Sequence, residues 1–158
     1  MYKYLGMLVV LISADLLAQE IPDYKGEYVF TNSKVSMRGI RELITHEEEG
    51  KRTIQFNAKF PLGRIKIISD FIEENNLISS TRYYVDAKVL IRSDKRTLSY
   101  DQSSGTLTSK GKFEWSQTLL KNKNVFDPLN VQIQIRKNVI AGLKDFSLML
   151  PDLKTGAI

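Results

Sequence analysis

His46, followed by Glu47-Glu48-Glu49, is the first place where this chain could do chemistry, and it is the only histidine. A Ser–His–Asp relay needs an imidazole as its base, so any such site would rest on this one residue. No Gly-x-Ser-x-Gly nucleophile elbow accompanies it, and a lone imidazole cannot build a His-based metal site. His46 therefore reads as an exposed strand-end residue. The three glutamates lack the alternating acidic spacing of a calcium loop and read as a solvated turn. Glu73-Glu74 could supply a general acid and a general base, but neighbours on a strand point to opposite faces. The chain has no cysteine, which removes thiolate catalysis, zinc–thiolate sites, disulfides and an acylated cysteine anchor. No glycine-rich phosphate loop occurs. Catalytic residues, a metal site and a cofactor are not expected.

Binding residues are a different matter. Trp115 stands with Phe113 and Glu114 among Lys110, Lys112, Lys121 and Lys123, a mixture that suits stacked single-stranded nucleic acid. Basic residues elsewhere are interspersed with acidic ones and the net charge is only +5. A core or rim tryptophan beside solvated lysines is the better reading, and no nucleic-acid partner is expected. Asp127 precedes Pro128 as a helix N-cap would, a role worth about 1 kcal/mol. Arg136 lies among apolar neighbours. It should either pair with a buried carboxylate, Asp101 or Glu74, or reach a ligand head group.

The elements that position these residues begin after an export signal. Lys3 precedes the apolar run Leu5-Gly6-Met7-Leu8-Val9-Val10-Leu11-Ile12, and Leu16-Leu17-Ala18 ends on a small residue. The run is shorter than the roughly 20 apolar residues that span a bilayer, so residues 1–18 read as a cleavable signal peptide cut near Ala18. The expected location is the periplasm, with at most peripheral membrane contact. Residues 19–158 make one β-rich domain.

Within it, Ile54, Phe56, Ala58 and Phe60 alternate with Thr53, Gln55, Asn57 and Lys59, which is a half-buried antiparallel strand. Segments 38–46, 52–60, 64–73, 79–87, 96–101 and 105–111 are strands joined by polar turns. The spacing suits a mainly β fold: a curled antiparallel sheet, open or partly closed as a barrel. Between Asp127 and Gly142 the end signals favour one α-helix over 128–141, with Leu129, Ile133, Arg136 and Ile140 at helical spacing. Asp145 to Asp152 reads as a final strand and Lys154-Thr155-Gly156 as a turn. A hairpin lacking its second arm leaves an open edge, so the chain is expected to be clipped relative to the complete fold, or its edge to be covered.

This order of features resembles the bacterial envelope family named domain of unknown function 3108. The resemblance runs through Tyr24 and Tyr28, Gly39, Ile54 to Phe60, Phe71-Ile72-Glu73-Glu74, Leu77, Tyr83-Tyr84, and Arg96 to Asp101 with Gly105. Its most specific part is Asp127-Pro128-Leu129-Asn130 followed by Gln132, Ile135 and Arg136, which looks like that family's Asp-Pro-Leu-Ser helix. The chain departs from the pattern at Met37-Arg38-Gly39-Ile40 and at Gln102, and stops where the family adds strands. The resemblance implies a curled sheet with a helix and no established activity.

Two functions fit these residues. One is a non-enzymatic envelope protein holding a lipid-like or other hydrophobic small molecule against Ile54, Phe56, Phe60, Ile65, Ile67, Tyr84 and Leu98. The other is a structural or protein-interaction module, without a ligand, that recruits an envelope partner along an exposed sheet edge.

Overall fold

Short turns between alternating segments produce a simple meander. The structure, a computed structural model, describes residues 20–31, 36–48, 50–119 and 123–158. The signal segment read at 1–18, Glu49 and Lys121 lie outside the described residues. Eight strands pair antiparallel in chain order: β1 (Tyr24–Thr31), β2 (Ser36–Thr45), β3 (Lys51–Phe60), β4 (Gly63–Glu74), β5 (Leu77–Val89), β6 (Arg92–Asp101), β7 (Thr106–Gly111) and β8 (Trp115–Thr118). The sheet does not close, because β1 and β8 do not pair. One helix, α1 (Val131–Ile140), follows.

The strands are longer than their turn signals suggest. Asn75 and Asn76 both adopt positive φ (49° and 68°), as asparagine does in a tight hairpin, so β4 runs on through Glu73 and Glu74. The β5–β6 turn falls at Leu90 and Ile91, with Leu90 at φ 54° and its N–H donating to Leu62 O at 2.8 Å. An apolar turn tip carries no sequence signature, so the strand ends at 88–89 and 92–95 are not legible from turn residues.

Cross-strand register places one row on the inner face: Leu43, Ile54, Ser69, Tyr83, Leu98, Ser109 and Trp115 lie side by side. The row below it contains Arg41, Phe56, Ile67, Val85 and Arg96. Ile54 and Leu98 are buried here, and Phe56, Phe60, Ile65 and Ile67 are partly buried on the same face, as their alternation requires. Tyr84 corrects the sequence reading. Asp70 pairs with Arg82 while Phe71 pairs with Ser80, so Thr81 is an extra, bulged residue. Each bulge reverses the parity of the strand beyond it. Tyr83 therefore points inward and is buried, and Tyr84 stands on the outer face opposite Ile68 and Thr97.

Residues 123–127 cross the inner face and fill it. Val125 O accepts the Ser80 N–H at 2.9 Å, and the Tyr100 hydroxyl donates to Lys123 O at 3.0 Å. Val125 and Phe126 pack with Ile54, Phe71, Ile78 and Leu107 in the core, each such side chain contributing about 1.5–3 kcal/mol by leaving water. Most of the interior is thus closed by side chains. Space remains toward β1 and β2.

Two further expectations are corrected. The helix begins at Val131 rather than at position 128, with residues 128–130 forming a preceding turn; Gly142, at φ 77°, lies just past its end as expected. Residues 145–152 are not a strand: a single parallel bridge joins Met149 to Val125. Phe146 and Leu150 are exposed, and Pro151 has no N–H for a ladder. The open sheet edges are therefore β1 and β8, not a C-terminal hairpin arm.

The Lys154-Thr155-Gly156 turn does form, with Asp152 Oδ1 accepting the Lys154 and Thr155 N–H groups. Gly156 sits at φ 77°, and a Cβ there would lie 2.7 Å from the Trp115 ring. Gly156→Ala should therefore lose about 1–3 kcal/mol. Trp115 is the only tryptophan, so its fluorescence during urea unfolding reports the change. An unaltered midpoint would contradict this packing.

Candidate functional site

The groove beside the open edge is built by β1, β2, β3, β4 and the start of α1. At one end, Phe30, Phe56, Ile67 and Leu129 surround a cavity of about 220 Å³. Phe30 meets Phe56 edge to face, with ring centroids 6.1 Å apart, the arrangement aromatic quadrupoles favour. Phe56 can occupy this floor because its diagonal neighbour on β2 is Gly39, which pairs with Ala58; a Cβ there would lie 2.5 Å from the ring. The second end, a cavity of about 320 Å³, is lined by Ile21, Tyr24, Ile133 and Arg136. Tyr28, Arg41 and Gln132 line both ends and join them. The groove is apolar at one end and polar at the other.

Arg41 sets its electrostatics. Its Nη1 donates to Gln132 Oε1 at 2.6 Å, while its buried Nε has no acceptor. No carboxylate lines either end of the groove. Neither Arg41 nor Arg136 forms an ion pair among the described residues. Tyr24 lies between them: burial raises its phenol above the usual value, against the opposing pull of Arg41.

Two buried polar networks hold α1 and its lead-in over the sheet. Asp127 is 0 % exposed. Its Oδ2 accepts the hydroxyls of Ser69 and Ser80, each at 2.7 Å. Its Oδ1 accepts the Leu129 and Asn130 N–H groups at 2.9 and 3.0 Å. The N-cap of α1 is Asn130, without a side-chain cap bond, so Asp127 instead caps the turn before the helix and ties that lead-in to β4 and β5. Burial raises its pKa despite these four bonds, and Tyr83 nearby is pushed up to about 12, mainly by burial and then by the Asp127 charge.

The second network centres on Glu73, which accepts from Arg52 Nη1 at 3.0 Å and from Lys137 Nζ. Arg52 also reaches Ile21 O at 2.6 Å and Asp23 Oδ1 at 3.1 Å, tying the segment before β1 to the sheet. Arg52 and Lys137 are 3 % and 6 % exposed. Burial acts to raise the Glu73 carboxyl, yet hydrogen bonds from Lys137 and Arg52 hold it below its usual value.

The sequence candidates thus divide. Phe56 forms the groove floor, and Phe60 lies farther along β3, partly buried where that strand meets Gly63. Arg136 is at the polar end, exposed, and pairs with neither Asp101 nor Glu74. The buried cation of the helix is Lys137, one residue on. Tyr84 is outside the groove. Trp115 is on β8, packed against Gly156 and the core, with Nε1 buried and unpaired. Asp127 anchors the structure and does not line the groove. Arg41, Arg52 and Lys137 carry no site signal in the sequence, and Gln132 enters there only within the Asp-Pro-Leu-Asn resemblance.

A larger cleft of about 800 Å³ lies on the outer face, near His46, Thr53, Asp70 and Arg82. His46 Nε2 contacts Thr53 Oγ1 at 2.7 Å, and that hydroxyl donates to Asp70 Oδ1 at 2.8 Å. The hydroxyl proton is directed at the carboxylate rather than the imidazole. This is the reverse of what an activated nucleophile requires.

No protein-family model matches the chain, and no curated protein or solved structure is significantly similar to it.

Proposed function

We propose that this is a non-enzymatic binding protein of the bacterial cell envelope, exported by its N-terminal signal, that takes a hydrophobic small molecule into the groove between β1–β4 and α1. The supporting observation is the apolar end beside an open sheet edge, where Phe30, Phe56, Ile67 and Leu129 leave a cavity of about 220 Å³. Small ligand sites combine such walls with a few placed polar groups.

Nile red, an uncharged apolar dye, tests the groove without a head group. Its emission should rise and shift to the blue on a saturable site, and Phe56→Glu should abolish the signal while the circular dichroism spectrum keeps its β form. Dye binding that survives Phe56→Glu would contradict the reading.

A second reading rests on β1. This edge strand exposes Tyr28, Val29 and Phe30, and no strand pairs beyond it among the described residues. Such an edge can accept an added strand from an envelope protein. Native mass spectrometry of protein purified from an envelope fraction separates the two: a retained small molecule favours the carrier, a retained polypeptide the interaction module.

A further inference from the structure

We infer that the occupant of the groove is a single-chain fatty acid, its carboxylate held by Arg41 and attracted by Arg136, its hydrocarbon tail lying over Phe56 and Ile67. This deepens the proposed binding function and rests on it.

Charge complementarity carries the assignment. A partly buried guanidinium without an anionic partner is unfavourable, and Arg41 is left in that condition. Gln132 occupies Nη1. Gln132 is the one acceptor for this guanidinium among the described residues, and it is neutral, so a carboxylate oxygen reaching Nη2 would supply the missing counter-charge. Arg136 and the Tyr24 phenol share the same end, and no acidic side chain lines it to repel an anion. A cationic head would meet two arginines. A neutral alcohol would leave the free guanidinium edge without a counter-charge. The apolar end continues directly from Arg41 and Gln132, so head and tail sites lie along one path.

Competition against Nile red on the purified protein reads the head group directly. Dodecanoate should displace the dye at a concentration about ten-fold or more below dodecanol, the step expected for a charge-assisted pair, and dodecyltrimethylammonium should be weaker than dodecanol. Arg41→Gln should bring the dodecanoate-to-dodecanol ratio toward one; a merely distorted groove would weaken both ligands together and preserve the ratio. Should Arg41→Gln fail to fold, Arg136→Gln on the exposed side of α1 should lower the same ratio by a smaller factor. If Nile red binds and the wild-type protein prefers dodecanol, or takes both equally, the groove stands and the fatty-acid assignment falls. If dodecyl phosphate outcompetes dodecanoate, the carboxylate assignment falls. If Nile red does not bind and dodecanoate gives no heat by titration calorimetry, the groove reading fails and this inference with it.

Discussion

Asp127→Ala should lower stability by about 3–5 kcal/mol through four orphaned donors, well beyond the roughly 1 kcal/mol of a single capping interaction. The carboxylate accepts four hydrogen bonds in the core, two from backbone and two from serines on different strands. Removing it leaves two buried N–H groups and two buried hydroxyls without their acceptor, and such orphans cost more than the net value of the bonds they made. The urea midpoint should fall with an unchanged slope. A loss near 1 kcal/mol would mean that the cap alone matters. Asp127→Asn separates charge from shape. The folded-state pKa is raised, so this group's favourable contribution is complete below its unfolded value of 3.8 and is lost as pH rises through the folded value. The stability gap between wild type and Asp127→Asn should widen as the solution is acidified.

Glu73→Ala should be similarly severe, about 3–5 kcal/mol, because it leaves the buried Lys137 without its anion and Arg52 with only the more exposed Asp23. Here the pH dependence has the opposite sign. Glu73 is held below its unfolded value of 4.5, so its contribution is present above that pH and is lost as pH falls through the folded value. The gap between wild type and Glu73→Gln should close on acidification while that for Asp127→Asn opens. Thermal denaturation of both variants across pH 3 to 7 checks the pair. Parallel trends would show that one of the two environments is misread.

The contrast between these groups also explains what the sequence made legible. β3 alternates cleanly, so its inward face could be read from residue types alone, and Ile54 and Phe56 fall where alternation puts them. Tyr84 could not be placed this way, because the bulge at Thr81 changes parity without any residue that announces it. The helix was legible from its ends but not from its face. Val131, Ile133, Gln134 and Lys137 are the buried residues of the helix, and two of those four are polar. They are tolerated because specific partners meet them: Gln134 Oε1 accepts the Ile78 N–H at 3.0 Å, and Lys137 meets Glu73. An apolar-periodicity argument rejects such a stripe and selects Leu129, Ile133, Arg136 and Ile140, one step around the helix. Ile140 is 46 % exposed in consequence.

Arg41 illustrates a different limit. In Ile40-Arg41-Glu42-Leu43 it looks like an ordinary charge on a half-exposed strand. Its significance comes from neighbours that are distant in sequence, Phe56 across the sheet and Gln132, 91 residues away. Arg52 is equally hidden, since a charge on the inward side of β3 breaks the alternation that identified the strand. Functional polarity inside a mostly filled sheet was therefore visible only once the topology had assembled it.

Ile67 and Ile68 are adjacent in β4 and face opposite sides of the sheet, which makes them a direct probe of ligand placement. In methyl-labelled protein mixed with an unlabelled fatty acid, the Ile67 and Leu129 methyls should show intermolecular NOEs to the chain methylenes, while Ile68 shows none. NOEs at Ile68 with none at Ile67 and Leu129 would place the ligand on the outer face and contradict the inner groove.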